Sequence, residues 1–107
     1  MTIRYKNAKT DLTTTNATAV LTPDNATTAV IKSILVSEDS GNADTITLTI
    51  RDTDSAVFNL FKVKAVSANT TVELLTQPLV LQDSEILKAT AATANRLHLV
   101  VSYLEIS

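Results

Sequence analysis

The chain has no cysteine and no tryptophan, and its 107 residues include one glycine, one histidine and two prolines. Without cysteine, disulfides and thiolate metal sites are excluded. A single histidine, His98, excludes a metal site built on paired imidazoles. Because Gly41 stands alone, there is no glycine-rich loop to hold a phosphate. The turns must therefore rely on Asn, Asp and Ser, which hydrogen-bond to their own backbone.

Excess positive charge and long apolar runs are also missing. The formal net charge is −2 and the pI is about 5.2, which argues against a nucleic-acid partner because such proteins need a basic patch. No segment approaches the roughly 18 apolar residues of a membrane span. Residues 1–6 have no apolar run behind their charges, so we predict no signal peptide and expect synthesis and folding in a cytoplasm.

The chain is rich in aliphatic residues and threonine. Hydrophobic residues account for 45% of the chain and threonine occupies 18 positions, whereas aromatic residues reach only 4%. Threonine favours half-buried strands, because its branched side chain suits a pleated surface. The composition predicts one sheet-rich domain with a core of Val, Leu, Ile and Ala.

Alternating apolar residues define the strands. The clearest case is residues 45–51, where Ile46, Leu48 and Ile50 should face a core. Within residues 26–37 the alternation changes phase, which predicts a β-bulge near Lys32. About eight strands at 8–12-residue spacing predict an all-β fold, an antiparallel sandwich of jelly-roll or immunoglobulin-like type. Residues 12–107 form this domain, and residues 1–11 are an N-terminal arm or an edge strand.

The run 96–106 is the longest strongly β-forming segment and is apolar on both faces. Such a strand is expected at the centre of a sheet and covered on both sides. The second face carries Val100, Leu104 and Ile106. Either the rest of the chain covers these residues or they form an interface with another subunit.

The candidates for chemistry are few. His98 lies in the middle of a strand, which favours a surface or interface role, and we expect no enzyme. Acidic residues cluster in two turns, where they are either calcium ligands or ordinary solvated turn acids. The second interpretation is preferred, so no metal and no cofactor are predicted. The residues concerned are Glu38, Asp39, Asn42, Asp44, Asp52 and Asp54.

Five segments resemble a known group of proteins. They are residues 67–74 (SANTTVEL), 78–89 (PLVLQDSEILKA) and 95–105 (NRLHLVVSYLE), preceded by 34–37 (ILVS) and 42–48 (NADTITL). These strand and turn patterns resemble small structural proteins of tailed bacteriophages, especially marine ones. The resemblance covers most of residues 7–107.

The resemblance implies a β-sandwich present in many copies on the virion, most simply a decoration or cement protein on the capsid. A tail, neck or fibre accessory protein is the near alternative. The implied partners are the major capsid protein or other virion proteins. A homo-oligomer, with a trimer among the candidates, is also expected. Arg4, Lys6 and Lys9 would give residues 1–11 positive charge toward an acidic shell.

A receptor- or glycan-binding module is a further alternative. Sugar-binding platforms use exposed aromatic side chains, and the tyrosines here are only Tyr5 and Tyr103. Exposed aromatics around one end of the sandwich would favour this function.

Overall fold

The computed structural model describes all 107 residues and contains strands but no helix. Strands account for 61% of the chain, which confirms the all-β prediction. There are nine strands rather than eight, because the N-terminal residues form a strand of their own. They are β1 (Ile3–Asp11), β2 (Thr18–Leu21), β3 (Thr28–Glu38), β4 (Asp44–Arg51), β5 (Val57–Val66), β6 (Thr70–Glu73), β7 (Leu79–Leu81), β8 (Ile86–Ala91) and β9 (Leu97–Ile106).

The strands form two antiparallel sheets packed face to face. Sheet A has the order β1-β9-β3-β6, with β7 also paired to β3, and sheet B has the order β2-β8-β4-β5. The pairing is nested: β1 pairs with β9, β2 with β8, β3 with β6 and β7, and β4 with β5. This is the pattern of one long hairpin rolled into a sandwich. Of the two predicted types, the connectivity is therefore that of a jelly roll.

The core is aliphatic, as the composition predicts. It contains no phenylalanine, and Tyr103 is its one aromatic member. Ile46 and Leu48 of β4 are fully buried, and Ile50 packs against the core from its margin. Alternate residues of β9 are buried against sheet B, from Leu97 to Tyr103.

The predicted bulge is present in β3. Ile31 pairs with Tyr103 and Ser33 pairs with Ser102, so Lys32 is an extra residue with no partner on β9. The insertion lets both Ile31 and Ile34 point inward although they are three residues apart.

The first eleven residues are held in the sandwich. β1 pairs with β9 at nine consecutive positions, and Thr2 and Ser107 exchange backbone hydrogen bonds of 2.8 and 2.9 Å. β1 is thus an edge strand of sheet A. Removal of residues 1–10 would leave one side of β9 unpaired, so substitution is the better probe of this strand.

The turns and bulges use left-handed backbone at residues other than glycine. Six non-glycine residues have positive φ, among them Val63 in β5 at 53°. Val63 lies in a bulge, because Lys62 and Val63 together face Thr47, and its amide donates to Thr47 Oγ1 at 3.1 Å. A β-branched residue is disfavoured in this conformation.

We predict that Val63→Gly raises the free energy of unfolding by about 1 kcal/mol. Removing Cβ relieves about 1–2 kcal/mol of left-handed strain, which exceeds the roughly 0.5–1 kcal/mol entropic cost of glycine. The side chain is 60% exposed, so little packing is lost. Denaturant unfolding measures the change.

Val57→Gly is the matched control. Val57 lies in the same strand and is 59% exposed, but it is not among the residues with positive φ. We expect Val57→Gly to lower the free energy of unfolding by about 0.5–1 kcal/mol. A Val63→Gly protein destabilised as much as the control would contradict the strain argument.

Candidate functional site

Glu38, at the end of β3, is the most deeply buried charged residue, with 1% of its surface exposed. Its carboxylate accepts hydrogen bonds from the amides of Ser40 at 3.0 Å, Gly41 at 3.1 Å and Asn69 at 3.2 Å, and from the Ser40 hydroxyl. One side chain therefore ties the β3–β4 turn to the β5–β6 turn. The Ser40 hydroxyl first, and then the three amides, lower the pKa of Glu38 from 4.5 to about 2, although burial acts in the opposite direction.

The other turn acids also accept backbone hydrogen bonds. Asp44 is buried and accepts from the amide of Thr93 at 3.1 Å. Asp52 accepts from the amides of Asp54 and Ala56, both at 2.9 Å. These carboxylates fix the turns through hydrogen bonds to backbone amides.

The calcium hypothesis required the two acidic turns to meet at one end of the sandwich. They lie instead at opposite ends of β4, whose eight residues span about 25 Å. No group of three or more metal-ligating side chains is present. The preferred interpretation as solvated acids is also wrong for Glu38 and Asp44, which are buried and hydrogen-bonded.

Glu73 fills a gap at one edge of sheet A. β6 and β7 both pair with β3, but they leave residues 32–34 without a strand opposite. The Glu73 carboxylate accepts from the amide of Ile34 at 2.8 Å and from the Ser33 hydroxyl. The amide of Leu74 donates to the carbonyl of Ile34 at 2.9 Å. A side chain thus completes the ladder where the partner strand is interrupted.

The outward surface of sheet A is the candidate interaction surface, and we call it the outer face. It consists of alternate residues of β1, β9, β3, β6 and β7. The expectation that both faces of β9 are covered is wrong within this chain, because sheet B covers only the inner one. The main members are Ile3, Tyr5, Asn7, Lys9, Asp11, His98, Val100, Ser102, Leu104, Ile106, Val30, Lys32, Ser33, Leu35, Ser37, Thr71, Glu73 and Val80.

The predicted interface residues divide between two sides of sheet A. Val100, Leu104 and Ile106 lie half-exposed on the outer face, and Lys9 pairs with Val100 beside them. Arg4 and Lys6 occupy the alternate positions of β1 and so point to the other side. There Lys6 forms an ion pair with Glu105 at 3.2 Å. The three basic residues therefore do not form one patch.

His98 lies in a row of polar residues across the outer face. It pairs with Asp11 on β1 and with Ser37 on β3, and Asp39 lines the same shallow groove of about 410 Å³. Ser37 Oγ is 2.9 Å from Thr71 Oγ1, and no hydrogen bond joins His98 to either neighbour. The row thus lacks the contact between base and nucleophile on which a Ser-His-Asp triad is built.

The exposed aromatic side chains are far apart. Tyr5 is 83% exposed on β1, and Phe58 is 57% exposed on β5. These strands are edges of different sheets, and β5 contacts β3 and β6 rather than β1. They form no shared platform for a sugar ring, and Tyr103 is buried.

Comparisons with protein-family models, with curated proteins and with solved structures each found no significant match. No helix of the structure has the length and apolar character needed to cross a membrane.

We predict that Glu38→Gln lowers stability near neutral pH and flattens its dependence on acid. The amide of glutamine offers only one acceptor oxygen. Its NH2 group, itself a donor, would face the backbone amides that now donate to the carboxylate. Because folding lowers the pKa of Glu38, its contribution is complete above pH 4.5 and is lost as the pH falls through about 2. Denaturant unfolding from pH 6 to pH 2 measures the difference between wild type and variant, which should shrink across this window.

Glu105→Gln is the control, because Glu105 has one ion pair with Lys6 at the surface. It should change the acid profile less than Glu38→Gln does. Suppose that the difference in free energy of unfolding between wild type and Glu38→Gln stayed constant from pH 6 to pH 2. The hydrogen bonds of the turn would then not be what keeps Glu38 ionised.

Proposed function

We propose that this protein is a virion structural protein of a tailed bacteriophage, a decoration or cement protein that binds the capsid surface in many copies. One observation carries the proposal: the strands and turns that resemble such proteins form a single rolled hairpin. Jelly rolls recur in viral capsid domains. The same fold also serves lectins.

The use of the polar groups fits a structural role. Glu38, Asp44, Asp52 and Glu73 accept hydrogen bonds from backbone amides, which fixes turns and closes a gap in sheet A. Side chains used in this way make a rigid unit with defined surfaces. We therefore propose a role in assembly rather than in catalysis, with the major capsid protein or another virion protein as the partner.

The geometry of β1 offers a surface for an acidic shell. Arg4 and Lys6 are exposed on the same side of this edge strand, away from the outer face. Of the two, only Lys6 has an ion-pair partner, Glu105, which leaves Arg4 free. Because β1 is bonded along its length to β9, these charges are presented at fixed positions.

The test adds the purified protein to particles of the same virus assembled without it. We expect it to sediment with heads, saturably and in many copies per particle. Separated heads and tails distinguish a capsid protein from a tail, neck or fibre accessory protein. Absence of binding to both would overturn the virion role.

Arg4→Gln with Lys6→Gln tests the contribution of β1. We expect this pair to weaken binding to heads and to lower its sensitivity to salt, because two charges facing the shell are lost. Lys62→Gln with Lys64→Gln removes the same number of positive charges from exposed positions of the edge strand β5. Equal weakening by both pairs would show that the charge of β1 has no special role.

A further inference from the structure

We propose that the outer face of sheet A joins two copies of this chain around a two-fold axis that runs between β9 and β3, parallel to the strands. The inference does not depend on the particle role, because it concerns the isolated protein. It rests on the residue types found in two rows of paired residues that run across the four strands of the sheet.

The first relevant row is apolar across four strands. Tyr5 of β1 pairs with Leu104 of β9, which pairs with Val30 of β3, which pairs with Val80 of β7. Tyr5 is 83% exposed and Val80 is 53% exposed. A continuous apolar row open to solvent marks a surface that gains from being covered.

The second row has opposite charges at its two ends. It runs from Lys9 of β1 through Val100 and Leu35 to Glu73 of β6. Lys9 and Glu73 are both exposed, and neither has an ion-pair partner in the chain. The row is therefore basic at one edge, apolar in the middle and acidic at the other edge.

A two-fold axis between the two central strands makes these rows complementary to themselves. Rotation places β1 of one copy over β6 and β7 of the other, and β9 over β3. Lys9 then meets Glu73 of the second copy, Val100 meets Leu35, and Tyr5 meets Val80. Between the two rows, Ser102 would meet Ser33, and the exposed Lys32 lies beside this pair.

The size of the face is sufficient for a specific pair. The face is four strand positions wide at about 4.8 Å each and about ten residues long at about 3.4 Å each, if β6, β7 and the gap between them count as the fourth strand; it presents roughly 600 Å² per copy. Two copies would bury roughly 1,200 Å², the lower end of the range for stable interfaces. The exposed charges of the face balance, with Lys9 and Lys32 against Asp11 and Glu73. These four charges therefore sum to zero.

Sedimentation of the purified chain as a function of concentration tests the proposal. Each chain is 11.5 kDa, so the expected assembly has twice that mass. Tyr5→Glu alone and Val80→Lys alone should each raise the dimer dissociation constant about tenfold or more, because each places an unpaired charge in an apolar row. The double variant places the two new charges opposite each other and should recover much of the affinity.

Phe58→Glu is the matched control. It replaces an aromatic residue of similar exposure on β5 of the other sheet, so the dimer should be unaffected. Because Tyr5, Val80 and Phe58 are exposed in the single chain, all variants should fold, and circular dichroism checks this. A monomer at all concentrations, a trimer, or the absence of recovery in the double variant would overturn the proposed pairing.

Discussion

The pairing of β3 with β9 is the constraint on which the rest of the molecule depends. These two strands meet at ten positions at the centre of sheet A, and every other strand of that sheet pairs with one of them. A slip of one residue would turn the whole inward set outward. The bulge at Lys32 prevents this, because it absorbs the odd spacing between Ile31 and Ile34 and leaves both of them buried.

A second constraint is the scarcity of glycine. With one glycine in the chain, the turns use carboxylates and left-handed residues such as Asn69 and Asn95. Glu38 is the clearest example, since it accepts bonds from two turns that are distant in sequence. Several carboxylates of this protein are thus part of its framework.

Sequence periodicity predicted most of the fold but little of the surface. The strands, the aliphatic core and the bulge follow from the alternation of Ile, Val and Leu, which reports burial directly. The roles of Glu38 and Glu73 could not be predicted, because each bonds to residues more than 30 positions away. A carboxylate two residues before Ser40 was a weak signal for a turn. Arg4 and Lys6 lie on the opposite side of β1 from Lys9. This placement follows from the pairing of β1 with β9, which the sequence alone does not give.

The edge of sheet A that is formed by β6 and β7 affects how readily chains can associate edge to edge. A long, straight, unpaired strand is a template on which further chains can add and grow into fibrils. Here that edge is divided into β6 and β7, of four and three residues, and the gap between them is filled by the carboxylate of Glu73. Neighbouring molecules find no continuous ladder to extend at this edge, whereas the opposite edge of the same sheet is the unbroken nine-residue strand β1.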